Sequence, residues 1–89
     1  MISNKDKNTI IDLAKKYKIS RLLLFGSSLD SNHKAHDIDL AVEGLPEEQF
    51  FKFYSELIFN LSKPVDLVDI SKKSKFKDLI EKESTSLYG

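Results

Sequence analysis

The sequence has no cysteine and no tryptophan, and it contains only two prolines and three glycines among 89 residues. The absence of cysteine excludes a disulfide framework. No apolar run approaches the roughly 20 residues that a membrane-spanning helix needs, and the first residues lack the apolar core of a secretory signal. These absences predict a soluble cytoplasmic protein with no membrane partner.

An excess of either charge is also missing. Fourteen basic residues balance fourteen acidic ones, so the formal net charge is zero. No overall electrostatic field therefore draws the chain to nucleic acid or anionic lipid, and we expect no direct nucleic-acid partner. Apolar residues make up 40% of the chain, which is enough for the core of one small domain over residues 1–89.

The hydrophobic pattern alternates between helical and strand periods. An S-x-x-D signal at Ser3 and Asp6 starts the first helix, and Pro46 opens another. The predicted elements are a helix over 4–18, strands over 20–25 and 37–43, a helix over 46–61, a strand over 65–70 and a helix ending near 83. Leu87 and Tyr88 either add a terminal strand or simply dock. We predict an α+β fold in which helices pack on one side of a small mixed sheet of three to four strands.

The helix over 46–61 carries more apolar residues than one core-facing stripe needs. Its predicted stripe consists of Phe50, Phe53, Tyr54, Leu57 and Leu61. Phe51, Ile58 and Phe59 fall outside that stripe. Either loops or the first helix cover these three residues, or they form a docking surface for a partner.

The stretch from Leu22 to Val42 is the most informative part of the chain. An apolar strand ends at Gly26, and a second strand opens with Asp37 and Asp39, one residue apart. Side chains alternate along a strand, so these two carboxylates point to the same face, away from the apolar residues between them. Two such charges at the edge of a core are costly unless a cation lies between them.

Two further features add to this pair. Gly26 has no Cβ, so phosphate oxygens can approach its backbone, and Ser27 offers a hydroxyl beside a turn with free N–H groups. Asp66 interrupts a later apolar strand and supplies a third carboxylate. Three carboxylates suit two Mg²⁺ ions, which bind oxygen ligands and stabilise both the attacking and the leaving oxygen of phosphoryl or nucleotidyl transfer.

In combination, these motifs resemble a minimal nucleotidyltransferase (MNT) of the polymerase-β-like superfamily. The residues that carry the resemblance are LFGS (24–27), HDIDLAV (36–42) and PVDLVDI (64–70). The resemblance implies that Asp37, Asp39 and Asp66 are the catalytic metal ligands for two Mg²⁺ ions. It also implies that Gly26, Ser27 and Ser28 contact the nucleotide. Asp66 would in addition favour loss of the proton from the acceptor hydroxyl.

The loop after Gly26-Ser27 departs from the family pattern. The family continues with an arginine and a further Arg-Gly, whereas this chain has Ser28-Leu29-Asp30-Ser31. His33, Lys34 and His36 are candidate replacement donors, although a solvated loop is the simpler interpretation and a zinc site is not indicated. Lys72, Lys73, Lys75 and Lys77 are expected to form a solvated basic face.

The resemblance implies transfer of AMP from ATP to a hydroxyl, and stand-alone MNT proteins are commonly antitoxins of HEPN-domain ribonuclease toxins. The first hypothesis is therefore an Mg²⁺-dependent enzyme that adds AMP to a partner HEPN toxin, at a tyrosine. The second is a catalytically weak or inactive antitoxin that neutralises its partner by binding alone. Transfer to a small molecule, with a cleft formed by a homo-oligomer, is a third.

Overall fold

The computed structural model describes residues 2–26 and 37–89. Its elements are α1 (Asn4–Lys16), β1 (Arg21–Phe25), β2 (Ile38–Glu43), α2 (Phe50–Asn60), β3 (Val65–Asp69), α3 (Lys75–Glu83) and β4 (Thr85–Tyr88). A short 3-10 turn, Glu47–Gln49, leads into α2. Across this part of the chain, no helix combines the length and apolar character that a bilayer crossing requires.

The strands form one mixed sheet in the order β3-β2-β1-β4. β1 runs antiparallel to both β2 and β4, whereas β2 and β3 are parallel. A parallel pair needs a long crossover connection, and α2 provides it. The alternative left open for Leu87 and Tyr88 is resolved, because both belong to β4.

The larger core lies on one face of this sheet. Alternate residues of β2, namely Ile38, Leu40 and Val42, are fully buried there. They pack with residues of β1, α1 and α2, including Leu22, Leu24, Ile10, Leu13, Phe53 and Leu57. The α+β fold with a small mixed sheet is therefore confirmed, and α1 and α2 cover one side as predicted.

The other face of the sheet is covered as well. Leu23 and Ala41 point away from the larger core and pack with Ile70 and with Ile80 of α3. The prediction that helices lie on one side is thus correct for α1 and α2 but not for α3. The physical reason lies in β1, whose three central residues are all leucine and need cover on both faces.

The predicted core stripe of α2 is confirmed, since Phe53 and Leu57 are buried. The residues outside that stripe are not covered. Phe51 is 77% exposed, Ile58 50% and Phe59 86%. The interpretation that loops or the first helix bury them is therefore wrong for the residues that the structure describes.

A buried carboxylate ties the start of α1 to the turn between α2 and β3. The Asp6 N–H donates to the Ser3 hydroxyl at 3.1 Å, as the S-x-x-D signal predicts. The Asp6 side chain is only 3% exposed. It accepts hydrogen bonds from the Ser62 N–H at 3.2 Å and from the Ser62 hydroxyl at 2.5 Å. Burial of this charge is therefore compensated by two donors.

Replacing Asp6 with alanine should lower the free energy of unfolding by about 2 kcal/mol, because the Ser62 N–H loses its acceptor in a partly buried turn. Asp12→Ala is the matched control, since Asp12 is an exposed residue of the same helix. Chemical denaturation at neutral pH measures both values. Equal losses in the two variants would show that the Ser62 contacts contribute nothing.

Candidate active site

The end of β1 bends sharply at Gly26, directly against a carboxylate of the neighbouring strand. Gly26 has φ +69°, in the left-handed region that favours glycine. A Cβ placed on Gly26 would lie 2.3 Å from the Asp39 Oδ2 atom, so the Asp39 side chain would have to move to make room for it. Glycine is therefore favoured at this bend, and its backbone lies beside the carboxylate.

Asp39 occupies the centre of a row of three residues across the sheet. On one side it is paired with Phe25 of antiparallel β1, and on the other with Asp66 of parallel β3. Adjacent strands lie about 4.8 Å apart, so Asp39 and Asp66 are immediate neighbours on one face. Ala41 shares this face, which is the one that α3 partly covers.

The third predicted carboxylate is placed differently. Asp37 is exposed and lies in a bend immediately before β2 rather than within the strand. Within residues 2–26 and 37–89, no three His, Cys, Asp or Glu side chains form a group that could hold a metal ion as they stand. The backbone thus brings together Gly26, Asp39 and Asp66, while Asp37 stands at the entrance of the same strand.

The remaining candidates divide into two sets. Ser27 and Ser28, predicted to contact the nucleotide, lie outside the described residues, as do His33, Lys34 and His36. Asp69 is described, and it points to the face opposite Asp66, where its Oδ1 accepts the Ser71 N–H at 2.9 Å. Asp69 therefore has a local structural role, and the ligand roles of Asp37, Asp39 and Asp66 stay predictions.

The family model described as "Polymerase beta, Nucleotidyltransferase" matches residues 8–89, a segment that includes the Gly26 bend and both carboxylate strands. The chain belongs to this nucleotidyltransferase family. No curated protein sequence matches it.

Several solved structures similar to this nucleotidyltransferase domain are of toxin–antitoxin complexes. One is a toxin–antitoxin with AMP-PNP, at 28% identity over 93% of this chain and 73% of that chain, with a TM-score of 0.75. Another is a tri-AMPylated Shewanella oneidensis HEPN toxin in complex with MNT antitoxin, at 28% identity over 94% and 70%, with a TM-score of 0.72. A third is the MntA–HepT toxin–antitoxin, at 26% identity over 98% and 73%, with a TM-score of 0.72.

A cavity that borders the candidate site was not predicted from the sequence. A cavity of about 170 Å³ lies between α3 and the end of β1, beside the bend at Gly26. Its lining consists of Phe25, Gly26, Phe76, Leu79, Ile80 and Glu83. Phe76 and Leu79 are about half exposed, at 53% and 55%. The helical spacing of Phe76 and Leu79 predicted a helix. It could not indicate that this helix borders the face of the sheet that carries Asp39 and Asp66.

An ion network fastens α3 to the sheet. The Lys77 ammonium donates to Glu43 at 2.6 Å, and Arg21 donates to Glu43 at 3.1 Å and to Glu81 at 2.8 Å. The Lys77 side chain is only 18% exposed, so its assignment to a solvated basic face is wrong. The hydrogen bond from Lys77, with the nearby Arg21 charge, lowers the pKa of the Glu43 carboxyl from its ordinary value.

Glu43→Gln should lower the free energy of unfolding by about 1 kcal/mol at neutral pH, because the charge of Glu43 holds both cations. Since folding lowers the pKa of Glu43, this contribution is present above the ordinary value of 4.5 and is lost as pH falls through the lowered pKa. Denaturation at a series of pH values should therefore show the unfolding free energies of wild type and Glu43→Gln converging as pH falls below the lowered pKa of Glu43.

Glu83→Gln, an exposed substitution on α3, is the control for this pH series. A difference between wild type and Glu43→Gln that stays constant down to the acid limit would contradict the ionic origin of the contribution.

Proposed function

We propose that this nucleotidyltransferase is an Mg²⁺-dependent antitoxin that transfers AMP from ATP to a tyrosine hydroxyl of a partner HEPN toxin. The observation that carries the proposal is the register of Asp39 beside Asp66, with the Gly26 backbone against Asp39. The similarity to a complex with AMP-PNP supports ATP as the donor. The similarity to a complex with an AMPylated HEPN toxin supports the acceptor.

The donor set fits magnesium, because carboxylate oxygens are the ligands that Mg²⁺ prefers. Asp39 and Asp66, with Asp37 at the entrance of β2, would hold the ions, and bound Mg²⁺ would neutralise charge on the triphosphate. Gly26 gives the phosphates access to the backbone, and Ser27 and Ser28 add polar contacts. The acceptor oxygen forms a bond to the α-phosphorus as the bond to the β-phosphate oxygen breaks and pyrophosphate leaves. Asp66 favours loss of the acceptor proton.

Asp39→Asn should reduce AMP transfer by roughly 100-fold or more, because it removes one of the two carboxylates that the sheet register sets side by side. The assay is intact-mass spectrometry of the toxin after incubation with the purified chain, ATP and Mg²⁺. Asp69→Asn is the matched control, since Asp69 is an aspartate of β3 on the opposite face. Wild type and Asp69→Asn should both add AMP to the toxin.

Transfer that persists undiminished in Asp39→Asn would show that the metal assignment is wrong. Neutralisation of the toxin without any added AMP, by wild type and Asp39→Asn alike, would favour the alternative of an antitoxin that acts by binding. The observation behind that alternative is the Ser28-Leu29-Asp30 sequence, which places an acid where the family has a basic loop.

Gly26→Ala should weaken ATP binding as well as stability, because its Cβ would overlap the Asp39 carboxylate. The expected loss of unfolding free energy is about 1–3 kcal/mol for the backbone strain. Gly44→Ala is the control for stability: Gly44 has φ +87° and lies at the other end of β2, where a Cβ would lie 2.3 Å from the Ser20 hydroxyl and 2.8 Å from the Ser20 backbone nitrogen. Calorimetry with ATP and Mg²⁺ should show reduced affinity only in Gly26→Ala. Equal affinities in the two variants would count against the bend as a phosphate site.

A further inference from the structure

The outer face of α2 carries an uncharged apolar surface, formed by Phe51, Ser55, Ile58 and Phe59 and called here the α2 stripe. All four residues are exposed. Together the three apolar side chains present roughly 400 Å² of accessible surface. That area is as large as the largest apolar patch of an ordinary monomer, which marks the α2 stripe as an interaction surface.

The α2 stripe has an approximate two-fold arrangement. Phe51 lies four residues before Ser55, and Phe59 lies four residues after it. With a rise of about 1.5 Å per residue, the two rings are each about 6 Å along the helix axis from Ser55. An antiparallel copy of the same helix, centred on Ser55, would place each Phe51 opposite a Phe59. The α2 stripe is thus complementary to itself.

We propose that two copies of the chain pair through their α2 stripes, as antiparallel helices related by a two-fold axis at Ser55. The small serine side chains lie at the crossing point and let the helix axes approach to about 8–10 Å. The rings of Phe51 and Phe59 then fill the spaces on either side of this crossing point. The same patch serves both copies, as a closed two-fold interface requires.

Charge repulsion does not oppose this pairing at the contact itself, because the four residues of the α2 stripe are uncharged. The net charge of the whole chain is zero, so no overall repulsion opposes association.

The position of the α2 stripe favours a second copy over a protein that presents the acceptor hydroxyl. α2 packs on the face of the sheet that buries Leu40, whereas Asp39 and Asp66 lie on the opposite face. A hydroxyl delivered by a protein on the α2 stripe would therefore reach the wrong side of the sheet. Pairing of two copies leaves both carboxylate faces open, and it holds whether or not the proposed transfer reaction does.

The surface area that the two copies can bury sets the expected affinity of the dimer. Two α2 stripes contribute roughly 800 Å² between them, and the flanking polar residues bring the total to about 1,000 Å², the lower limit for a specific interface. We expect a weak dimer that dissociates on dilution. Sedimentation velocity from about 1 to 300 μM, a range that spans micromolar affinity, should show a shift from monomer to dimer.

Phe59→Glu should raise the dissociation constant by about 50-fold or more, because it places an unpaired negative charge opposite each Phe51 in an apolar interface. Phe76→Glu is the matched control, an exposed phenylalanine on α3. Both sites are exposed, so both variants should keep their fold, which circular dichroism checks. Of these two variants, only Phe76→Glu should still form the dimer.

The absence of cysteine permits a direct test of the axis. A single Ser55→Cys substitution should form an intermolecular disulfide under mild oxidation, because the two positions meet at the crossing. Lys52→Cys, exposed on the flank of the same helix, should cross-link about 10-fold more slowly, because its two copies lie about 9 Å apart along the axis.

A chain that stays monomeric throughout the concentration range, or a dimer that Phe59→Glu leaves intact, overturns the proposal. Equal cross-linking at Ser55→Cys and Lys52→Cys overturns the two-fold axis. Loss of toxin binding in Phe59→Glu, together with no Ser55→Cys cross-link, would instead assign the α2 stripe to the toxin.

Discussion

The register of β2 between β1 and β3 is the constraint on which the fold and the candidate site both depend. Ile38, Leu40 and Val42 are completely buried on one face, so a slip of one residue would replace this core with Asp39 and Glu43. The hydrophobic effect therefore holds the register firmly. That same register sets Asp39 beside Asp66 and against Gly26. The buried apolar side chains on one face of the sheet thus fix the positions of the carboxylates on the other face, which repel each other and could not hold these positions themselves.

The two faces of the sheet use polar side chains in different ways. On the α1 and α2 side, Tyr17 donates a hydrogen bond to Glu56 and packs edge-on against Phe53, with ring centroids 5.2 Å apart. Burial and the Glu56 carboxylate raise the pKa of Tyr17 to about 12, so this contact stays a neutral donor to an anion under ordinary conditions. On the α3 side, polar groups instead form the neighbouring carboxylates Asp39 and Asp66 and an ion network. The first arrangement holds two helices together, and the second leaves negative charge accessible.

The local part of this arrangement could be predicted from the sequence, because its signals are local. Strand alternation identified the Asp39 face, and Gly26 marked the bend. Long-range placement could not be predicted in the same way. The Lys77–Glu43 pair joins residues 34 positions apart, and nothing near Lys77 in the sequence distinguishes it from its solvated neighbours. Helical periodicity likewise showed which side of α2 faces the core, but it could not show that Phe59 on another side lacks cover. The predicted convergence of the Asp37 side chain with those of Asp39 and Asp66 stays a prediction, because it depends on rotamers, which periodicity does not determine.

The position of each carboxylate in the sheet suggests how donor and acceptor would share the site under the proposed reaction. Asp39 lies on an interior strand, enclosed by Phe25 on one side and Asp66 on the other, and the Gly26 backbone approaches it directly. Asp66 lies on β3, an edge strand, and is exposed. A nucleotide whose phosphates follow the Gly26 bend would thus meet Asp39 first. A hydroxyl carried by a large partner can approach Asp66 from the open edge without displacing α3. An interior position suits the donor and an edge position suits the acceptor, since in the proposed reaction only the acceptor belongs to a macromolecule.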